Sequence, residues 1–157
     1  MSDTLSHKLL HSGLSGVAGE YFVAGELSRR GFIASVTLGN AQGFDILATK
    51  PDGTNIVGLQ VKTNQHSLRK WPVSYKVESS ARSDLYFVFV NLNGINQPSY
   101  HIVLSAVVAE HCRTNHATWL ATLGKGGRPH KDNPIRTFTD SDGLYLGKWE
   151  ILDSLGA

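Results

Sequence analysis

The sequence has 157 residues and a formal net charge of +2, with 15 lysine and arginine residues against 13 acidic ones. This length allows one ordinary domain with its own core and is short for two, so we predict a single domain over residues 1–157, with a loose leader over residues 1–12. The mildly basic balance permits a polyanionic partner without requiring one. The single cysteine, Cys112, excludes an intramolecular disulfide and a cysteine-based zinc cluster.

The chain has no run of about 18 consecutive apolar residues that would indicate a membrane span. The first residues also lack the apolar stretch of a signal peptide. A lone cysteine is compatible with a reducing compartment. We therefore expect a soluble, cytoplasmic protein that does not associate with membranes.

In chain order, the first regular element is an amphipathic helix from Ser15 to Arg30, with Ser15 as its N-cap and Gly31 as its stop signal. The nearly continuous apolar run Leu85–Leu92 is typical of a strand covered on both faces. The other predicted elements are strands at Phe32–Leu38, Phe44–Thr49, Ile56–Thr63, Trp71–Val77 and Tyr100–Leu104, a helix at Ala106–Leu123, a basic loop at Gly124–Arg136 and a short final element within Leu144–Leu155.

The stretch from Gly43 to Thr63 reads as one β-hairpin around the turn residues Pro51-Asp52-Gly53. A loop of two or of four residues gives the same register, which places Asp45 opposite Gln60. Opposed side chains share one face with Cβ atoms about 4.5–5.5 Å apart, and Lys62 lies two residues further along that face. We therefore expect Asp45, Gln60 and Lys62 to converge, while Phe44, Leu59 and Val61 face a core.

Together with Gly19-Glu20 in the first helix, Phe44-Asp45 and Leu59-Gln60-Val61-Lys62-Thr63 resemble the signature of the PD-(D/E)xK nuclease superfamily. The resemblance is to small single-domain members of this superfamily, in which Gln-Val-Lys replaces the usual acid-x-Lys. It implies an α/β, restriction-endonuclease-like fold, with an N-terminal helix followed by a three-stranded antiparallel meander in a central mixed sheet flanked by helices.

The resemblance also implies an activity, the hydrolysis of phosphodiester bonds in DNA by a metal-dependent endonuclease. Asp45 matches the principal metal ligand, Glu20 matches an additional acidic ligand, and Lys62 matches the catalytic lysine. Gln60 stands where the second acid normally stands and supplies only a neutral amide oxygen, and the backbone carbonyl of Val61 is a further candidate ligand. Oxygen ligands of this kind suit Mg²⁺, with Mn²⁺ as an alternative.

Several basic residues outside the motif are candidates for contacts to the nucleic-acid backbone, because phosphate contacts need only positive charge within reach. Trp71, beside two of them, is a candidate for stacking on a base, with packing beneath a loop as the alternative. These basic residues are Arg69, Lys70, Arg82, Lys125, Arg128 and Lys131.

Other functions stay open from the sequence alone. Because Gln60 removes one negative charge, a non-catalytic nucleic-acid-binding or assembly module on the same fold is the main alternative. A small interaction protein without a nucleic-acid partner is a third, since polar residues on one hairpin face are often only its solvated side. A metal site at His111 and His116 is disfavoured by their spacing. A homodimer is compatible with the resemblance.

Overall fold

The structure is a computed structural model that describes residues 9–38 and 43–154. Residues 1–8 of the predicted leader lie outside the described residues. Residues 39–42 of the predicted turn before the hairpin also lie outside them. The regular elements are α1 (Ser12–Arg29), β1 (Ile33–Val36), β2 (Ile46–Thr49), β3 (Val57–Asn64), β4 (Lys70–Ser74), β5 (Leu85–Asn91), β6 (Ser99–Leu104), α2 (Ser105–Ala121) and β7 (Ile135–Thr139), with short 3-10 helices at Tyr75–Ser79, Lys125–Gly127 and Trp149–Leu152.

The central sheet has five strands in the order β1-β2-β3-β5-β6. Strands β1, β2 and β3 form an antiparallel meander, as predicted, and β6 is also antiparallel to β5. Strand β3 runs parallel to β5, because the chain between them crosses over through β4 and a 3-10 helix. The sheet is therefore mixed, and the prediction of a central mixed sheet that begins with a meander is confirmed.

Strand β5 separates two hydrophobic cores, and all seven of its residues are buried. Val88 and Val90 face α1, whereas Phe87 and Phe89 face α2 and the two-stranded sheet formed by β4 and β7. This alternation follows from the two-residue period of a strand. The prediction that this strand is covered on both faces is confirmed.

Helix α1 begins three residues before the predicted N-cap. The Nδ1 atom of His11 accepts a hydrogen bond from the Gly13 N–H at 3.2 Å, so a histidine ring caps the helix. The helix ends at Arg29, and Gly31 has a left-handed backbone with φ of 88°. None of the helices within the described ranges is long and apolar enough to cross a bilayer.

The end of the predicted basic loop is a strand, which corrects the sequence interpretation. Ile135–Thr139 forms β7 and pairs antiparallel with β4, in a register that places Trp71 opposite Phe138. Trp71 is 1% exposed, its indole N–H donates to the Val90 carbonyl at 3.1 Å, and its ring contacts Phe89. Trp71 therefore packs in the second core and does not stack on a base.

Candidate functional site

The carboxylate of Asp45 is fixed against the middle of β3. Ile46 pairs with Leu59, which is the register that the hairpin turn predicts, but the regular pairing stops there, one residue short of the predicted pair of Asp45 and Gln60. The Asp45 N–H donates to the Leu59 carbonyl at 2.8 Å, and the Val61 N–H donates to Oδ2 of Asp45 at 2.7 Å. The Val61 N–H is therefore bonded to a side-chain oxygen of Asp45 and not to a main-chain carbonyl of the neighbouring strand. The regular pairing of β2 with β3 ends at Ile46 for this reason.

Residues of β3 alternate between a buried and a partly exposed face. Leu59 and Val61 are buried in the core beneath α1, whereas Gln60 and Lys62 lie on the opposite face and line a cleft of about 570 Å³. Phe44 differs from the expectation, because its side chain covers Gly58, where an added Cβ would lie 3.3 Å from Cβ of Phe44. The interruption of the ladder at the next residue accounts for this change of side.

Glu20 reaches the same region from α1. The preceding residue, Gly19, lies so close to β3 that an added Cβ would stand 1.9 Å from Oγ1 of Thr63. Only a glycine permits this approach. It brings the helix against the strand beside Lys62, and Glu20 lines with Asp45 a second pocket of about 290 Å³.

Electrostatics show that these side chains affect one another. The pKa of Glu20 is raised, first by partial burial and second by the negative charge of Asp45, and the positive charge of Lys62 opposes the rise. Lys62 is partly exposed and makes no ion pair within the described ranges. The two acids therefore lie close together at one edge of the hairpin, within reach of the charge of Lys62, while Gln60 lies with Lys62 on the cleft face of β3, so the expected convergence of Asp45 with Gln60 is not formed.

The oxygen atoms at this edge fit a small divalent cation. The mutual repulsion of Glu20 and Asp45 is what a bound cation would relieve, and Mg²⁺ is commonly held by one or two carboxylates while it keeps several waters. The N–H of Val61 points to Asp45, and its carbonyl shares that side of the strand. No group of three or more histidine, cysteine or acidic side chains suited to a metal occurs in the described residues.

The predicted phosphate-binding residues lie elsewhere, except for one. Arg69 donates to the Ser141 carbonyl at 3.1 Å, and Lys70 lines a separate cleft of about 450 Å³ beside α2. Arg82 lines the cleft of Gln60 and Lys62, and so does Lys76, which sequence reasoning missed. Lys125, Arg128 and Lys131 are exposed on the segment between α2 and β7. The sequence around Lys76 does not identify it as a cleft residue, because its position depends on how the crossover between β3 and β5 folds back on β3.

The histidines of α2 have structural partners. His111 Nε2 lies 3.2 Å from the Thr139 N–H, and His116 Nε2 lies 2.7 Å from Oδ1 of Asp132. Both contacts fasten α2 to the segment that contains β7. Cys112, on the same helix, is buried in the second core, and burial raises the pKa of its thiol to about 11, so it is not a reactive thiolate at neutral pH.

No protein-family model matches the chain, and no curated protein is significantly similar to it. Among solved structures, a bacterial homing endonuclease aligns over 92% of this chain and 92% of its own, with 12% identity and a TM-score of 0.54. A Holliday junction resolvase from the archaeal hyperthermophile Archaeoglobus fulgidus aligns over 80% of this chain and 84% of its own, with 13% identity and a TM-score of 0.47.

The chain has a restriction-endonuclease-like fold, and its likeness to the homing endonuclease is a likeness of fold. Its mixed sheet, with α1 on one face and α2 on the other, confirms the predicted fold class. At this level of identity the likeness concerns the fold, and the chemistry of the chain has to be argued from its own side chains.

Proposed function

We propose that this protein is a metal-dependent nuclease of the PD-(D/E)xK type, formed by one domain over residues 1–157, that hydrolyses phosphodiester bonds in DNA. The observation that carries the proposal is the convergence at Asp45. Its carboxylate accepts a hydrogen bond from the Val61 N–H, and partial burial together with the nearby charge of Asp45 raises the pKa of Glu20 on α1. Two carboxylates brought together beside a lysine are costly for a structural surface and useful for cation binding.

In this proposal Glu20 and Asp45 hold the cation, and Gln60 and the Val61 carbonyl add neutral oxygens. A bound Mg²⁺ would neutralise charge on the phosphoryl oxygens and favour ionisation of a water. Lys62 projects into the cleft on the other side of β3, where its ammonium donates to a non-bridging phosphate oxygen and stabilises the charge that develops there. Gln60 adds no negative charge, so affinity for metal is expected to be low without substrate phosphate.

The first test is cleavage of supercoiled plasmid and of labelled single-stranded DNA with Mg²⁺ and with Mn²⁺. Asp45→Ala and Lys62→Ala are compared with Asp142→Ala and Lys148→Ala, which change exposed residues of the same charge elsewhere. We expect metal-dependent cleavage that the first two variants lose and the other two keep. Cleavage that survives both Asp45→Ala and Lys62→Ala would refute the proposed site.

The non-catalytic nucleic-acid-binding or assembly module is the second candidate, and the neutral side chain of Gln60 is what favours it. The two functions differ in their response to metal, because a ligand that binds only the folded state raises the melting temperature. Stabilisation by Mg²⁺ that Asp45→Ala abolishes supports the nuclease. DNA retention without stabilisation or cleavage supports the binding module. The third candidate, an interaction protein without a nucleic-acid partner, would be favoured by a Lys62 buried in an ion pair that faces away from Asp45 and Glu20. Lys62 is instead partly exposed, and no ion pair of Lys62 occurs among the described residues.

A further inference from the structure

The cleft that contains Gln60 and Lys62 has a second wall that is also basic. Strand β4 and the 3-10 helix after it cross over the sheet here, and they bring Ser74 and Lys76 to face β3. Arg82 completes this wall just before β5 begins. At about 570 Å³ the cleft is in the range of small-ligand sites, about 300–1,000 Å³, so it suits a length of one strand better than a duplex.

The charges in this cleft have one sign. Lys62, Lys76 and Arg82 line it and no acidic side chain does, in the part of the chain that the structure describes. Lys76 is exposed and has no carboxylate within ion-pair distance among the described residues. The Ser74 hydroxyl accepts from the Lys76 N–H at 3.3 Å, which holds the backbone of the lysine. Such a cleft attracts an anion.

Hydrogen bonds fix both the backbone and the guanidinium of Arg82. Its N–H donates to Oγ of the buried Ser105 at 2.8 Å, and the same hydroxyl donates to its carbonyl at 2.8 Å. Its guanidinium makes two hydrogen bonds to Asp84, of 2.9 and 2.7 Å, and both side chains remain about half exposed. A guanidinium fixed in this way loses little freedom when it binds a phosphate.

Acidic and basic groups lie on opposite sides of β3. Glu20 and Asp45 share a pocket beside α1, whereas Lys62 and Lys76 share the cleft on the other face. A phosphodiester is repelled by the carboxylates and attracted by the ammonium groups. The charges therefore favour approach of a phosphodiester from the basic side and binding of a cation on the acidic side.

We propose that Lys76 and Arg82 bind the phosphodiester backbone of the substrate strand and thereby deliver one phosphate to Lys62. The proposal rests on the function proposed above, and it places the nucleic acid in the cleft of the crossover. The exposed cations Lys125, Arg128 and Lys131 are then not the main contact surface.

The test is the salt dependence of binding to a labelled single strand of about 12 nucleotides, measured by fluorescence anisotropy without divalent metal. Lys76→Ala and Arg82→Gln should each weaken binding and reduce the slope of log affinity against log salt by about 0.7, the value for one lost contact to a single strand. Asp84→Asn should strengthen binding, because it removes the carboxylate that partly neutralises Arg82. Lys148→Ala, which changes an exposed lysine that does not line the cleft, is the matched control and should leave the slope unchanged.

A combined variant in which Lys125, Arg128 and Lys131 are all changed to alanine tests whether these exposed cations, and not the cleft, bind the strand. Binding that falls in this variant and stays normal in Lys76→Ala and Arg82→Gln would overturn the inference, and so would a wild-type protein that does not bind the strand at all. Thermal unfolding of each variant excludes loss of fold as the cause.

Cleavage assays on the same variants separate this inference from the proposed function. Wild-type cleavage with an unchanged KM in Lys76→Ala and Arg82→Gln would overturn the inference and leave the nuclease intact. DNA binding that depends on Lys76 and Arg82, in a protein that cleaves no DNA, would refute the proposed nuclease activity. It would support the inference that the cleft binds the strand.

Discussion

Replacing Gly19 by alanine tests the contact that holds α1 against β3. A Cβ at this position would lie 1.9 Å from Oγ1 of Thr63, 3.0 Å from its Cβ and 3.1 Å from its Cγ2. Thr63 is branched at Cβ, so turning its side chain replaces one clash by another. The helix and the strand would have to separate, at a cost of about 1–3 kcal/mol for an overpacked contact.

Gly25, on the same helix, is the matched control, because it is exposed and an added Cβ would meet nothing within 4 Å. Alanine stabilises a helix by about 0.5–1 kcal/mol relative to glycine, and this gain is common to both positions. The difference in free energy of unfolding between Gly19→Ala and Gly25→Ala therefore measures the contact between α1 and Thr63. We expect Gly25→Ala to be the more stable variant by about 2 kcal/mol, which separates the melting temperatures by about 4–8 °C for a domain of this size.

Urea unfolding of the two variants measures this difference in free energy. Thr63→Ala removes Oγ1 and Cγ2, so the Gly19→Ala/Thr63→Ala double variant should lose less stability than the two single changes together, by about 0.5–3 kcal/mol. Equal stabilisation by Gly19→Ala and Gly25→Ala would refute the reasoning, since it would mean that α1 does not lie this close to β3. Because Glu20 follows Gly19 and Lys62 precedes Thr63, stabilisation by Mg²⁺ should weaken in Gly19→Ala as well.

Gln60→Glu adds a carboxylate to the proposed ligand set, and a tenfold gain in Mg²⁺ affinity would add about 1.4 kcal/mol of stabilisation at saturating metal. An unchanged melting shift with Mg²⁺ would contradict the proposed ligand set. The pKa of His111 is lowered, first by burial, so its neutral form stabilises the fold, and the free energy of unfolding should fall as pH decreases below about 6.5. Unfolding measured against pH should show a shallower fall in His111→Gln. Trp71→Phe removes the hydrogen bond to the buried Val90 carbonyl and should cost about 1–3 kcal/mol without a change in DNA affinity, whereas weaker DNA binding at unchanged stability would contradict its place in the core.

The hairpin and the central strand were predictable because both depend on local patterns. Turn chemistry at Pro51-Asp52-Gly53 sets the register, and a two-residue alternation then determines that Gln60 and Lys62 share a face. Continuous apolar sequence likewise predicts that β5 is covered on both sides. Phe44 was misassigned, because a side-chain hydrogen bond at the next residue interrupts the alternation.

Residues that meet through long-range packing could not be assigned in this way. Strand β7 was missed, because its extended conformation depends on pairing with β4, far away in sequence. The place of Lys76 in the cleft likewise depends on the crossover between β3 and β5.

The sequence by itself therefore determined the register of the hairpin and that Gln60 and Lys62 share one face of β3, since turn type and strand period act over a few residues. It did not place Asp45 correctly, because Asp45 was expected on that face and lies in the pocket beside α1. Only the tertiary structure decided that Glu20 reaches Asp45, because that requires the close approach of α1 at Gly19. It also decided that acids lie on one side of β3 and cations on the other, because packing of both faces of the sheet sets those positions.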